Sequence, residues 1–156
     1  MKMVRQLAII ILVLGAIGVV LGGVFIGEGF SKNSLITQRM ATENVSLATD
    51  PNNPQVLTRV TSAASAQKVA DKIAVDRRTI SPSYETLLAG GKFDPTNPKD
   101  VSYAQAMNLE NYLYTAVMAF GLTQSVMGSG AYMVVVGLAV GLLGIAVYRL
   151  AGIKTP

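Results

Sequence analysis

The 156-residue chain contains no cysteine, no histidine and no tryptophan, and only 14% of its side chains are charged. Without cysteine it forms no disulfide and no thiolate metal site, so any folded part must hold by packing alone. Without histidine, the commonest general base and the commonest transition-metal ligand are both missing. There is no Gly-rich phosphate loop, no serine-nucleophile motif and no Ser-x-x-Lys. The charge deficit, against about a quarter of residues in soluble domains, points to a membrane protein.

The charge that exists is unevenly placed. The formal net charge is +4. Residues 28–110 hold nine basic and all nine acidic residues, so that segment is neutral and the whole excess sits at the ends. Lys2 and Arg5 precede the first apolar run; Arg149 and Lys154 follow the last. By the positive-inside rule both ends are cytoplasmic and the middle is outside. No basic patch remains for nucleic acid. The carboxylates, scattered among as many cations, read as a solvated surface, and adjacent Arg77 and Arg78 as charges at a helix C-terminus.

Two long uncharged runs are present. Residues 6–27 are 22 residues, about 33 Å as a helix, enough to cross a hydrocarbon core of roughly 30 Å once. The run is longer than the apolar region of about 7–15 residues usual in a cleaved signal peptide and ends in Val24, Phe25 and Ile26 before Gly27, so an uncleaved signal anchor is expected. Residues 111–148 form 38 uncharged residues, about 57 Å as a helix, nearly twice the membrane thickness. Tyr132 and Tyr148, about 24 Å apart along a helix, suit two interfacial belts, so the second span is placed at 127–148. The surplus at 103–126 then stands outside, with an apolar side that needs cover. Gly128 and Gly130 mark a position where the long helix is expected to bend.

Each span carries small residues four apart: Gly18 and Gly22 in the first, Gly137 and Gly141 in the second, with Gly23, Gly27 and Gly144 besides. Such spacing lets helix backbones approach closely, a main attraction in lipid. Contact between the two spans is the first expectation and contact with another protein the second. Neither span holds a charge, which argues against a proton relay or ion pathway. Thr123, Gln124 and Ser125 are expected at the interface or bonded to a neighbouring helix.

Between the runs, helix is expected to continue past Gly27 for a few turns, then give way to extended chain near residues 44–47. The segment 50–54 is a strong break in which Asn53 caps and Pro54 opens a helix over about 55–78, with an Ala-rich packing face. A short helix over 84–89 ends at Gly90 and Gly91. The 93–98 stretch, flanked by Asp94 and Asp100, lacks the ligand order of a calcium loop and reads as a turn. Asp100 or Ser102 is expected to cap the last helix.

The segment Ala104-Gln105-Ala106-Met107-Asn108-Leu109-Glu110-Asn111-Tyr112-Leu113-Tyr114, running into Ala119-Phe120-Gly121 and Val126-Met127-Gly128-Ser129-Gly130, resembles a family of small two-span membrane proteins from actinobacteria and Chloroflexi. The likeness covers the C-terminal third well and the rest loosely. It implies a bacterial source, so the glycosylation-like Asn44-Val45-Ser46 is incidental. Some members carry the label aromatic ring-opening dioxygenase. Non-haem iron enzymes of that kind use two histidines and a carboxylate, and a chain without histidine cannot perform that chemistry.

The resulting expectation is an all-α membrane protein of the plasma membrane. Residues 1–5 are cytoplasmic, 6–27 and 127–148 span, 28–126 form a small, mostly helical extracytoplasmic domain, and 149–156 are cytoplasmic. Expected partners are the lipid bilayer and other membrane-protein subunits or a second copy; no cofactor, metal or nucleic acid is expected. A non-enzymatic accessory or assembly subunit is the first functional reading. A lipid-binding or ligand-sensing outer domain is the second.

Overall fold

The structure, a computed structural model, describes residues 2–50 and 52–152. Lys154 of the cationic C-terminal flank and Pro51 of the central break lie outside the described residues. The elements, in chain order, are α1 (Lys2–Thr42), β1 (Ser46–Ala48), β2 (Leu57–Arg59), α2 (Ala63–Ile80), α3 (Tyr84–Leu88) and α4 (Pro98–Leu150). At about 1.5 Å per residue, α1 and α4 run roughly 60 and 80 Å. Each contains a segment long and apolar enough to cross a membrane. The fold is mostly helical, but the small β1–β2 sheet corrects the all-α expectation. The chain divides into two compact units, residues 1–33 with 123–156, and residues 34–122.

In the first unit the apolar side chains of α1 and α4 point outward on nearly every side. Only 11% and 17% of their most apolar windows are buried. A core helix of a soluble protein would be mostly covered, so burial inside the protein does not account for these runs. α4 passes through Gly128, Ser129 and Gly130 as unbroken helix.

The second unit has its own core. Met40 from α1, Val60, Ala66, Val69, Ala70 and Ile73 around α2, and Leu113, Ala116 and Phe120 from α4 are buried together. The α2 contribution falls at helical spacing, with Ala66, Val69, Ala70, Ile73 and Ala74 on one face. Leu113, Ala116 and Phe120 of the 103–122 segment are covered by α2 and the end of α1, while Met118 and Leu122 stay exposed.

Local chemistry sets the connections after α1. α1 ends where Asn44 adopts the left-handed conformation, φ 49°, and its N–H reaches the Ala41 carbonyl at 3.1 Å. β1 and β2 pair antiparallel, with Ser46, Leu47 and Ala48 opposite Arg59, Thr58 and Leu57. The turn between them is held by Asp50, whose Oδ1 accepts from the Asn52 N–H at 2.9 Å and whose Oδ2 accepts from Asn53 Nδ2 at 3.2 Å. The Asn52 and Asn53 donors hold its carboxyl below the usual carboxylate range.

Asp50, Asn52 and Asn53 therefore belong to a hairpin turn, and the expected helix over 55–78 does not begin there. The β-branched Val56, Thr58, Val60 and Thr61 favour extended chain. Thr49 and Thr58 pair their hydroxyls across the strands at 2.7 Å. The helix begins at Ala63, behind Ser62. Ser62 Oγ accepts from the Ser65 N–H at 3.2 Å, and Ser65 Oγ accepts from the Ser62 N–H at 2.9 Å. That is a reciprocal cap in which serine takes the place of the usual Glu or Gln.

The start of α4 also differs from expectation. Neither Asp100 nor Ser102 caps it. Asn97 Oδ1 accepts from the Lys99 N–H at 3.0 Å, and the Asn97 carbonyl accepts from Val101 N–H at 3.1 Å. Pro98 occupies the first helical position, where its missing N–H costs nothing. Asp100 is instead buried, and its Oδ2 accepts from the Asp94 N–H at 3.0 Å. Asp94 in turn accepts from the Thr96 hydroxyl at 2.7 Å and N–H at 2.8 Å, which hold its carboxyl low.

Candidate functional site

The first unit is organised by a seam of small residues. On α1, Ala8, Gly15, Gly22 and Gly29 are buried; on α4, Thr123, Gly130, Gly137 and Gly144 are buried. Each set repeats every seven residues. The sets meet in pairs, Ala8 with Gly144, Gly15 with Gly137, Gly22 with Gly130 and Gly29 with Thr123. The residue numbers in every pair sum to the same total, which is the mark of an antiparallel pair in constant register.

The approach is close enough to exclude a methyl group. A Cβ on Gly22 would lie 2.5 Å from the Gly130 carbonyl oxygen, and one on Gly130 2.6 Å from the Gly22 carbonyl oxygen. A Cβ on Gly137 would lie 2.7 Å from both the Gly15 oxygen and the Val19 nitrogen. These obstacles are backbone, so no rotamer change relieves them.

Gly18 is placed beside the seam, where a Cβ would stand 3.2 Å from Gly137 Cα. Gly141 offers its backbone to the seam, 2.6 Å from a Cβ on Gly15, yet a Cβ of its own would meet nothing within 4 Å. Gly23, Gly27 and Gly128 also face open space. The operative period is therefore seven, the period of left-handed helix pairs, and not the four of a right-handed Gly-x-x-x-Gly crossing.

Polar groups close both ends of the seam. At one end Thr123 Oγ1 donates to Asn33 Oδ1 at 3.2 Å, so Thr123 bonds a neighbouring helix. At the other, Arg5 Nε donates to Tyr148 Oη at 2.9 Å, and its guanidinium stands 4.7 Å over the Tyr148 ring. Such a stack is worth about 0.5–1 kcal/mol at an exposed site.

The second unit contains a mostly buried polar cluster that sequence reading assigned to solvent. Arg77 Nε donates to Glu110 Oε2 at 2.7 Å, with the two side chains 13% and 12% exposed. Arg77 also donates to the buried Tyr103 hydroxyl, and its guanidinium lies 4.9 Å over that ring. The Glu110 carboxylate raises Arg77 above the ordinary arginine value. One turn along α4, Tyr114 Oη donates to Asp71 at 2.9 Å; that bond, followed by burial, raises the phenol above its ordinary value. These groups are paired with one another and fasten α2 to α4. The 33-residue separation of Arg77 and Glu110 gave no sequence signal.

Among the described residues, no group of three or more Asp, Glu, His or Cys side chains could hold a metal ion. An open cavity of about 540 Å³ in the second unit is lined by Glu43, Asn44, Val45, Ser46, Leu109 and Tyr112. No family model, no curated protein and no solved structure matches the chain.

Proposed function

We propose that the chain is a two-span protein of the plasma membrane with both termini cytoplasmic. Residues 28–126 stand on the outer side and act without catalysis. The role is that of an accessory or assembly subunit of a larger membrane complex, or of a homo-oligomer, and the chain groups with the uncharacterised two-span family it resembles.

The observation that carries the interaction reading is apolar surface left over in the second unit. Val56, Leu57, Val75, Met118 and Leu122 are each more than half exposed there, although the unit has a core to bury them in. Met118 and Leu122 lie one turn apart on the same face of α4. The experiment is native gel electrophoresis of gently solubilised membranes, followed by cross-linking mass spectrometry. Migration as a complex, with cross-links from the second unit to another subunit or copy, supports the reading; a monomer at every detergent level overturns it.

The cavity beside Leu109 and Tyr112 favours a second reading, an outer site for a hydrophobic ligand. Its volume falls in the range of small-molecule sites. Tyr112→Ala should abolish co-purification of a small molecule if that reading holds.

A further inference from the structure

We propose that the helix pair of the first unit binds one anionic phospholipid, with its phosphate on Arg5 and Arg149 and one acyl chain in the groove beside Gly141. The inference rests on the membrane reading above.

An apolar groove of about 210 Å³ runs alongside the seam, walled by Leu12, Ala16 and Val19 on α1 and by Leu138, Gly141 and Ile145 on α4. Gly141 opens it. The glycines at 137 and 144 are closed off by facing backbone, but the space in front of Gly141 holds no atom within 4 Å of a Cβ.

Helical spacing ties this groove to the cationic end of the unit. Arg5 lies seven residues before Leu12 on the same row of α1. Tyr148 lies seven after Gly141, and Arg149 four after Ile145. Both walls therefore lead to the cations on the same side of the pair. Seven residues span about 10 Å, so charges at headgroup level place the groove inside the hydrocarbon.

The cations are available. Arg5 and Arg149 are exposed. The Tyr148 hydroxyl accepts from Arg5, and the stack on the ring fixes the guanidinium plane while other N–H groups remain to meet a phosphate. Glu28 is the only acidic residue in 1–33 or 123–156, and it stands about 35 Å along α1 from Arg5. Lys2 adds a further cation. A zwitterionic headgroup brings its own cation to this place; an anionic one supplies the missing charge. A second copy packed parallel in the groove would instead set like charges side by side.

The test uses the full chain in mild detergent and in vesicles. Native mass spectrometry should show phosphatidylglycerol retained at least tenfold over phosphatidylcholine. Arg5→Gln with Arg149→Gln should lower phosphatidylglycerol retention roughly 10- to 30-fold, at about 1 kcal/mol per cation. Gly141→Leu should weaken retention of both lipids, because it fills the groove without touching the charges. Equal retention of the two lipids, or retention untouched by either change, overturns the proposal. Efficient disulfide dimers of Leu142→Cys in native membranes would give the groove to a second copy and also overturn it. Extraction of the chain by alkaline carbonate would overturn the membrane reading itself; a carbonate-resistant chain without headgroup preference would overturn only the lipid site.

Discussion

Gly137 and Gly141 stand one turn apart on the same helix, and the same substitution should have opposite effects at the two. A methyl on Gly137 would lie 2.7 Å from two backbone atoms of α1 and 3.0 Å from a third, Gly18 C. Ordinary carbon contacts sit at about 3.5–4.0 Å, so the backbones must part by about 1 Å. A gap of that size forfeits a quarter to a half of the dispersion at each contact it opens, and overpacking of this kind costs about 1–3 kcal/mol. Alanine's better helix propensity returns up to about 1 kcal/mol. Gly137→Ala should therefore weaken the pair by about 1–2 kcal/mol. Gly141→Ala meets nothing within 4 Å and keeps only the propensity gain, so it should be neutral or stabilising by up to about 1 kcal/mol. Because the chain has no cysteine, Lys2→Cys and Leu150→Cys, which share the seam's register, can carry pyrene labels. Excimer emission followed through an SDS titration in mixed micelles then reports pairing. Gly137→Ala should lose the excimer at lower SDS than the parent, and Gly141→Ala should not. Identical midpoints for the two variants would refute the seven-residue seam.

In the second unit, Glu110→Ala strips the carboxylate from a mostly buried guanidinium and should destabilise by about 2–4 kcal/mol. Adding Arg77→Met should restore much of that, and pulse proteolysis of the full chain in detergent measures both. Leu113→Ala removes a fully buried side chain and should cost about 2–5 kcal/mol by the same assay. Ser62→Ala breaks the reciprocal cap of α2 at a cost of about 1 kcal/mol. The raised Tyr114 phenol implies a contribution that is complete below the usual tyrosine range and lost as pH rises through the folded value. Thermal scans should accordingly show stability falling above pH of about 10, by less than about 1 kcal/mol from this group, and falling less in Tyr114→Phe.

The features legible in the sequence were those with a local period. The uncharged runs, the apolar face of α2 and the presence of a short helix before Gly90 and Gly91 follow from spacing and turn chemistry, although that helix ends at Leu88, with Ala89 in the left-handed cap. The hairpin is hidden in the sequence because Asn53-Pro54 suits a helix opening as well as a turn, and the alanines beyond it carry a helical pattern. Asp100 and Ser102 are cap-forming residues as good as Asn97; the choice is decided by Pro98, which fits the position after Asn97. The glycines were recognised, but their period depends on register. Gly18 and Gly141 look equivalent to Gly22 and Gly137 until the partner helix is placed, and then Gly15, Gly29 and Gly130 join the contact. Arg77, Tyr103 and Glu110 are brought together by the packing of α2 on α4, and no local pattern marks them.

Cysteine accessibility in intact cells tests the membrane arrangement most directly, since every introduced thiol is the only one. Ser102→Cys, exposed in the second unit, should react with a membrane-impermeant maleimide before lysis, while Lys2→Cys and Arg149→Cys should react only after it. Labelling of either terminal position in intact cells, or protection of Ser102→Cys, would contradict a pair of helices that cross the bilayer and return.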